Sequence, residues 1–326
     1  METFQLSEEL LKKIADLILA KKNTPLKKIV KDVHFADMAD LINLLNVNQG
    51  VYLIKLFDSE KTSEILTELD ENVREKILKA LSVKEIADEI EELDSDDAAD
   101  ILAELSEERK EKVISEISDE DLADDLIELL SYKEDSAGGL MAKELIKVNE
   151  NWTTIQCLKE MRKQAEDLKE VYTIYVVDDN DKLLGILSLR KLLLIERATA
   201  IKDIIFTEII SVKATEDDEH VANIMNKYDL IALPVVDDLN RLIGRITIDD
   251  VMDVAKDEAE KDYQMASGIS EDVESSDNIW QLTRARLPWL LIGLLGGLLG
   301  SKVIGIFDLE NNIELAFFIP LIAAMG

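Results

Sequence analysis

A 59-residue internal repeat constrains this 326-residue chain more than any other feature. Tyr172–Val177 and Leu183–Ser188 read as strands joined by the turn Asp178-Asp-Asn-Asp181. The arrangement returns at Leu233–Val236, Asp237–Asn240 and Leu242–Thr247. Short apolar runs bounded by Asp and Asn are a strand-and-turn signal. Asp178 and Asp237, and Gly185 and Gly244, are each 59 positions apart. Each copy opens alike, with Ile146–Val148 before Trp152-Thr153 and Ile210–Val212 before Ala214-Thr215. Two consecutive β-α modules are therefore expected, over 137–200 and 201–250.

The chain before the repeat is of another kind. Residues 1–131 hold one proline, Pro25, and one glycine, Gly50, with helical patterning throughout. A small motif recurs there, Ala39-Asp-Leu-Ile42, Ser63-Glu-Ile-Leu66, Ala87-Asp-Glu-Ile90, Ala99-Asp-Ile-Leu102 and Ala123-Asp-Asp-Leu126. Its acidic position advances by 24, 24, 12 and 24 residues. Helices of roughly ten residues stacked as hairpins give that beat, so an all-α, right-handed superhelical domain is expected. Ser95 before Asp96-Asp97 and Ser118 before Asp119-Glu120 read as N-caps with acidic first turns. Most acids in this region read as capping or solvated groups. Asp96 and Asp100 differ, because i, i+4 spacing places both on one helix face.

After the repeat, Gly244–Tyr263 starts as a strand and becomes a helix crowded with carboxylates. Asp249, Asp253 and Asp257 recur at i, i+4, i+8, where like charges repel by a few tenths of a kcal/mol per pair. This helix is expected from near Asp249 to Ser267, with Ser275-Ser-Asp277 capping a new one. Residues 251–282 then form an acidic connecting segment. Arg284 and Arg286 precede an apolar run, Leu287–Phe307, whose one charge is Lys302. A span needs about twenty such residues, so 284–326 is expected to begin a transmembrane domain. The basic pair places the preceding acidic domains in the cytoplasm. The run Ile313–Gly326 reads as the start of a second span, and the chain is expected to be C-terminally incomplete.

The 69 acidic and 37 basic residues give a formal net charge of −32. Nucleic acid needs a basic face and is excluded as a partner. The same balance argues against docking the acidic domains on anionic lipid, and it suits divalent cations or a plainly solvated surface. A single cysteine, Cys157, allows no disulfide within the chain, and two histidines, His34 and His220, nearly exclude an ordinary zinc site. Met1-Glu-Thr3 does not open a signal peptide. With no Gly-rich phosphate loop and no nucleophile paired with histidine, no enzyme is expected.

The paired modules resemble tandem CBS domains, which implies head-to-tail packing, a homodimer, and sensing of nucleotides or ions. The nucleotide-binding version of that family ends its second strand in Gly-x-x-Thr/Ser-x-x-Asp, the Asp holding the ribose. Gly244, Thr247 and Asp250 match it, whereas the first copy has Lys191 after Gly185 and Ser188. ATP stays open as a cofactor of the pair. The order of parts, including the Ala137-Gly-Gly-Leu-Met141 joint, resembles the MgtE family of magnesium channels. That resemblance implies a multi-pass homodimer in the lipid bilayer of the plasma or inner membrane, with Mg2+ both transported and regulatory. Divalent ions would bridge carboxylates between domains and hold the pore shut when cytosolic magnesium is high. Carried onto this sequence, the implied ligands are Glu64, Asp96 and Asp100 in the helical domain and Asp217, Glu219 and Asp229 in the second module. On the connecting helix they are Asp250, Asp253, Glu258 and Asp262. Two other readings stay open: a nucleotide-sensing CBS subunit of another transporter, and a membrane-tethered helical scaffold.

Overall fold

The computed structural model describes residues 6–306, apart from 166–167, 169–170, 172, 196–198, 268 and 270–278. It forms two compact units, Met1–Val254 and Ala255–Gly326. The first opens with ten α-helices among the described residues: α1 (Glu8–Leu19), α2 (Asn23–Val30), α3 (Phe35–Asn43), α4 (Val47–Ile54), α5 (Ser59–Thr67), α6 (Glu71–Ala80), α7 (Val83–Ile90), α8 (Ser95–Ala103), α9 (Glu107–Glu116) and α10 (Glu120–Leu129). The 24-residue step of the sequence motif is two helices and the 12-residue step is one. Helices two apart stack, α3 on α5, α5 on α7, α7 on α9 and α8 on α10. The apolar ends of each motif, such as Leu41-Ile42, Ile65-Leu66 and Ile101-Leu102, are buried between them, each worth about 1.5–3 kcal/mol of transfer from water. Side chains start the helices where the sequence allows it. Asn46 with Gln49, and Ser82 with Glu85, form reciprocal capping boxes.

Each module that follows is a three-stranded sheet with helices. The first holds β1 (Ile146–Asn149), α11 (Thr154–Gln164), β2 (Ile174–Val177), β3 (Leu183–Leu187) and α12 (Leu189–Leu194). The second holds β4 (Val212–Lys213), α13 (Asp218–Tyr228), β5 (Ala232–Val236), β6 (Leu242–Thr247) and α14 (Ile248–Ala266). In both, the first strand pairs parallel to the second, and the second antiparallel to the third. The repeat is kept in backbone detail. Asp181 and Asn240, 59 positions apart, both turn with positive φ, at 59° and 63°, a conformation that Asn and Asp tolerate. The two turns also pair, Leu183 N–H donating to the Asn240 carbonyl and Leu242 N–H to that of Asp181.

One apolar core runs from the helical domain into the second module and includes Val221, Met225, Leu233 and Ile246. The Gly-Gly joint makes this possible. Ala137 N–H donates to Glu216 O at 2.7 Å and Gly138 N–H to Ala214 O at 2.9 Å, and a Cβ on Gly139 would lie 2.5 Å from the carbonyl oxygens of Lys133 and Glu134. Ile248 opens α14, one residue ahead of the expected start.

In the second unit, α14 completes its course and α15 (Ile279–Ile306) follows. Among the described residues no helix is long and apolar enough to cross a membrane. The span expected over Leu287–Phe307 is corrected to that extent. Its last residue, the Ser275–Asp277 cap and the expected second span lie outside the described residues.

Candidate functional site

Helix α8 meets the second module at its N-terminus, and the caps there differ from expectation by one residue. Asp94, not Ser95, is the N-cap residue, and its side chain does not cap the helix. Ser95 is the first helical residue and is fully buried. Its backbone N–H and hydroxyl donate to the two carboxylate oxygens of Glu144, at 3.1 and 2.8 Å, while its hydroxyl accepts from Lys143 N–H at 2.8 Å. A carboxylate from the joint therefore serves the helix start that the local sequence leaves open. Asp119 likewise replaces Ser118 as the cap of α10, accepting from Asp121 and Leu122 N–H.

Arg245 completes the contact. It stands within β6, is only 7 % exposed, donates from Nε to the Glu144 carbonyl, and lies 3.5 Å from Asp94 Oδ2. Beside it a Cβ on Gly244 would come within 2.7 Å of Met141 Sδ, so only glycine lets the joint lie this close to β6.

This docking brings Asp96 and Asp100 of α8 together with Asp250 of α14. Asp250 Oδ2 accepts from Thr247 N–H at 3.0 Å and Thr247 Oγ1 at 2.7 Å. Burial, with the charges of Asp250 and then Asp97, holds the Asp96 carboxyl well above the ordinary carboxylate range. Asp100 keeps an open edge, but protein crowds its other sides. That desolvation and the Asp97 charge outweigh Arg74 and push it up to about 7. Asp250 is also raised, by burial first, against its Thr247 hydrogen bonds. Three carboxylates from two domains thus share a partly dehydrated place with too little positive charge to balance them.

The other expected ligands are placed differently. Glu64 is half-buried on α5 and is not among the main charges acting on Asp96, Asp100 or Asp250. Asp217 is the exposed N-cap residue of α13, Glu219 is exposed in its first turn, and Asp229 ends it in the left-handed conformation at φ 51°. Asp253 is exposed one turn beyond Asp250. Glu258 and Asp262 lie farther along α14, in the second unit. Among the described residues no three Asp, Glu, His or Cys side chains are arranged to hold one ion directly.

Asp97, Glu144 and Arg245 were not expected at the site. Asp97 reads as a helix-start acid and Glu144 as a loop acid. The sequence signal for Arg245 is a charge in the middle of an apolar strand.

The raised carboxyls give a pH dependence with a defined sign. Asp100 binds a proton more tightly folded (about 7) than unfolded (about 3.9), so its contribution is complete below about pH 4 and is lost as pH rises through 7. Metal-free protein is expected to melt at a higher temperature at pH 5.5 than at pH 8. Glu89, pushed up to about 8 by burial and the charge of Asp88, titrates in the same direction. The readout is therefore the difference between the parent and Asp100→Asn melting curves, which should vanish at low pH. A difference of constant size across the range would refute the assignment.

Residues 33–135 match the family model of the MgtE intracellular N domain, and 137–196 and 201–257 match the CBS domain. The magnesium transporter MgtE of Thermus thermophilus is 38% identical over 202 residues, 61% of this chain and 45% of the relative. That of Bacillus subtilis is 33% identical over 199 residues, 60% and 44% respectively. The chain thus spans under half the length of these curated relatives. A crystal structure of the cytosolic domain of the Mg2+ channel MgtE in complex with ATP is similar at 31% identity and a TM-score of 0.69, covering 75% of this chain and 99% of that one. The soluble part of a magnesium transporter is similar at 27% identity and a TM-score of 0.66, over 77% and 99%.

Proposed function

The chain belongs to the MgtE family, and from that premise we propose that its first unit is the magnesium-sensing part of a magnesium channel or transporter. The observation that carries this reading is the meeting of Asp96 and Asp100 with Asp250 across a domain boundary, where burial and mutual repulsion outweigh the charges of Arg74 and Arg245. The donor set suits the ion: Mg2+ is a hard cation that takes carboxylate oxygen and keeps several of its waters. Carboxylates too far apart to chelate directly fit an ion held partly through water. Each ion bound between α8 and α14 removes repulsion that opposes docking, so binding and domain closure are one equilibrium. Asp217, Glu219, Asp229 and Glu64 are proposed as weaker half-sites, and Asp253, Glu258 and Asp262 as the share of α14.

The rest of the assembly belongs to the same proposal. Leu193 and Leu194 of α12, together with Ile231 and Met252, are exposed large apolar side chains, and a second copy would cover them in a homodimer. The exposed leucines of α15, preceded by Arg284 and Arg286, support a place in the bilayer with the acidic domains on the cytoplasmic side. There closure at high cytosolic Mg2+ would shut the pore.

ATP is present in the structure of a relative, but the first module here does not fit a ribose. Lys191 stands where the family pattern has the carboxylate, and its ammonium donates to the Ile204 carbonyl at 2.6 Å. In the second module Asp250 already accepts two bonds from Thr247. Limited proteolysis across a Mg2+ titration tests both statements. Cleavage near Gly138-Gly139 is expected to slow with a midpoint in the millimolar range. One millimolar ATP, with free Mg2+ held constant, is expected to move that midpoint less than twofold. Protection by ATP without Mg2+ would instead support a nucleotide sensor.

A further inference from the structure

The charge of this chain is unevenly spread. Within residues 6–31 seven lysines, Lys12, Lys13, Lys21, Lys22, Lys27, Lys28 and Lys31, stand against Glu8, Glu9 and Asp16. That is a local excess of four positive charges in a chain of −32. All seven lysines are exposed. Elsewhere several basic side chains find acids, as in Lys55–Glu85, Arg74–Glu104, Lys110–Glu107, Lys143–Glu128 and Lys213–Asp238. Among the described residues none of the seven makes an ion pair within 4.0 Å. Six sit on α1, α2 and the turn between, and Lys31 is the C-cap residue of α2; the two helices pack on one another. This hairpin precedes residue 33, where the match to the family's N domain begins.

We propose that the α1–α2 hairpin is a docking surface for an anionic lipid bilayer. The type of charge fits: lysine is a compact, strongly hydrated cation on a flexible stem, suited to many headgroup phosphates and not to one fixed bidentate partner. The apolar content fits as well. Leu19, at the end of α1 beside Lys21-Lys22, is 75 % exposed, and an apolar side chain set among lysines matches the acyl–headgroup boundary. Lys27 and Lys31 also line, with Leu56, Phe57, Asp58 and Lys61, a recess of about 520 Å3. Lys61 itself is not part of the available charge, because its ammonium donates to the carbonyls of Val30, Lys31 and Val33. The acid excess elsewhere does not prevent docking. At physiological salt, charges beyond about 8 Å are largely screened, so a bilayer meets the local surface and not the net charge. Residues 6–31 hold no Phe, Tyr or Trp, which argues against single-stranded nucleic acid.

The full chain incubated with vesicles tests this. Lysine acetylation, read by mass spectrometry, is compared on vesicles of phosphatidylcholine alone and of phosphatidylcholine with 30% phosphatidylglycerol (a composition chosen to approximate an anionic leaflet, about −30 mV at its surface). At least threefold slower acetylation of Lys21, Lys22, Lys27 and Lys28 is expected on the anionic vesicles only, and raised salt should abolish the difference. The four-fold charge reversal of those lysines to glutamate is expected to remove anionic-vesicle binding and leave the Mg2+ midpoint of proteolysis in place. Equal acetylation on both vesicle types would overturn the proposal. So would protection without vesicles that grows with protein concentration, since an acidic face of a second copy would then cover the lysines.

Discussion

Asp96→Asn is expected to make the metal-free protein more stable and its response to magnesium weaker. The amide can still accept from Asp97 N–H, as the carboxylate does at 2.9 Å, so the local fold keeps its bond. What it removes is a buried negative charge facing Asp250. Relief of about 1 kcal/mol would raise the melting temperature by about 2–4 °C in a unit of this size. The Mg2+ midpoint should move up by about tenfold, or 1.4 kcal/mol. Calorimetry at pH 8, in chelator and then across a Mg2+ series, reads both effects. Their opposite signs are diagnostic, because a merely structural role for Asp96 would lower stability in both conditions. A metal-free variant less stable than the parent would sink the cluster assignment.

Arg245→Met is expected to be the most damaging single change in the first unit. Methionine keeps most of the apolar stem, so the loss isolates the guanidinium. Removing it strands the Glu144 carbonyl and the partly buried Asp94 carboxylate, and breaking such an arrangement from one side costs about 3 kcal/mol. The melting temperature should fall by about 6–12 °C. The linker near Gly138-Gly139 should also become open to protease at Mg2+ levels that protect the parent. Arg245→Lys keeps the charge but not the planar fork and should recover less than half of the stability. Urea unfolding of the three proteins decides this. A loss below 1 kcal/mol would mean that Arg245 does not hold the domains together.

Much of the scaffold was legible because it rests on local periodicity. The 24- and 12-residue beat of Asp40, Glu64, Asp88, Asp100 and Asp124 is the beat of stacked short helices, and the 59-residue repeat returns even in the positive φ of Asp181 and Asn240. Of the site, Asp96, Asp100 and Asp250 could be named from helix spacing and family resemblance. Their partners could not. Glu144 lies 49 positions from Ser95 and Arg245 lies 151 from Asp94, and no local pattern relates residues so far apart. The cap of α8 was misplaced by one residue for the same reason, since the group that completes its start, Glu144, comes from 49 positions away.

The sequence by itself determined the parts: which stretches are helical, which repeat, and where negative charge gathers. Those properties follow from side-chain period and turn chemistry within a few residues of each position. Only the tertiary structure decided which acids matter together. An Asp on an isolated helix is a solvated charge. It becomes half of the proposed cation site when docking through Arg245 and Glu144 crowds it and sets a second carboxylate from α14 against it.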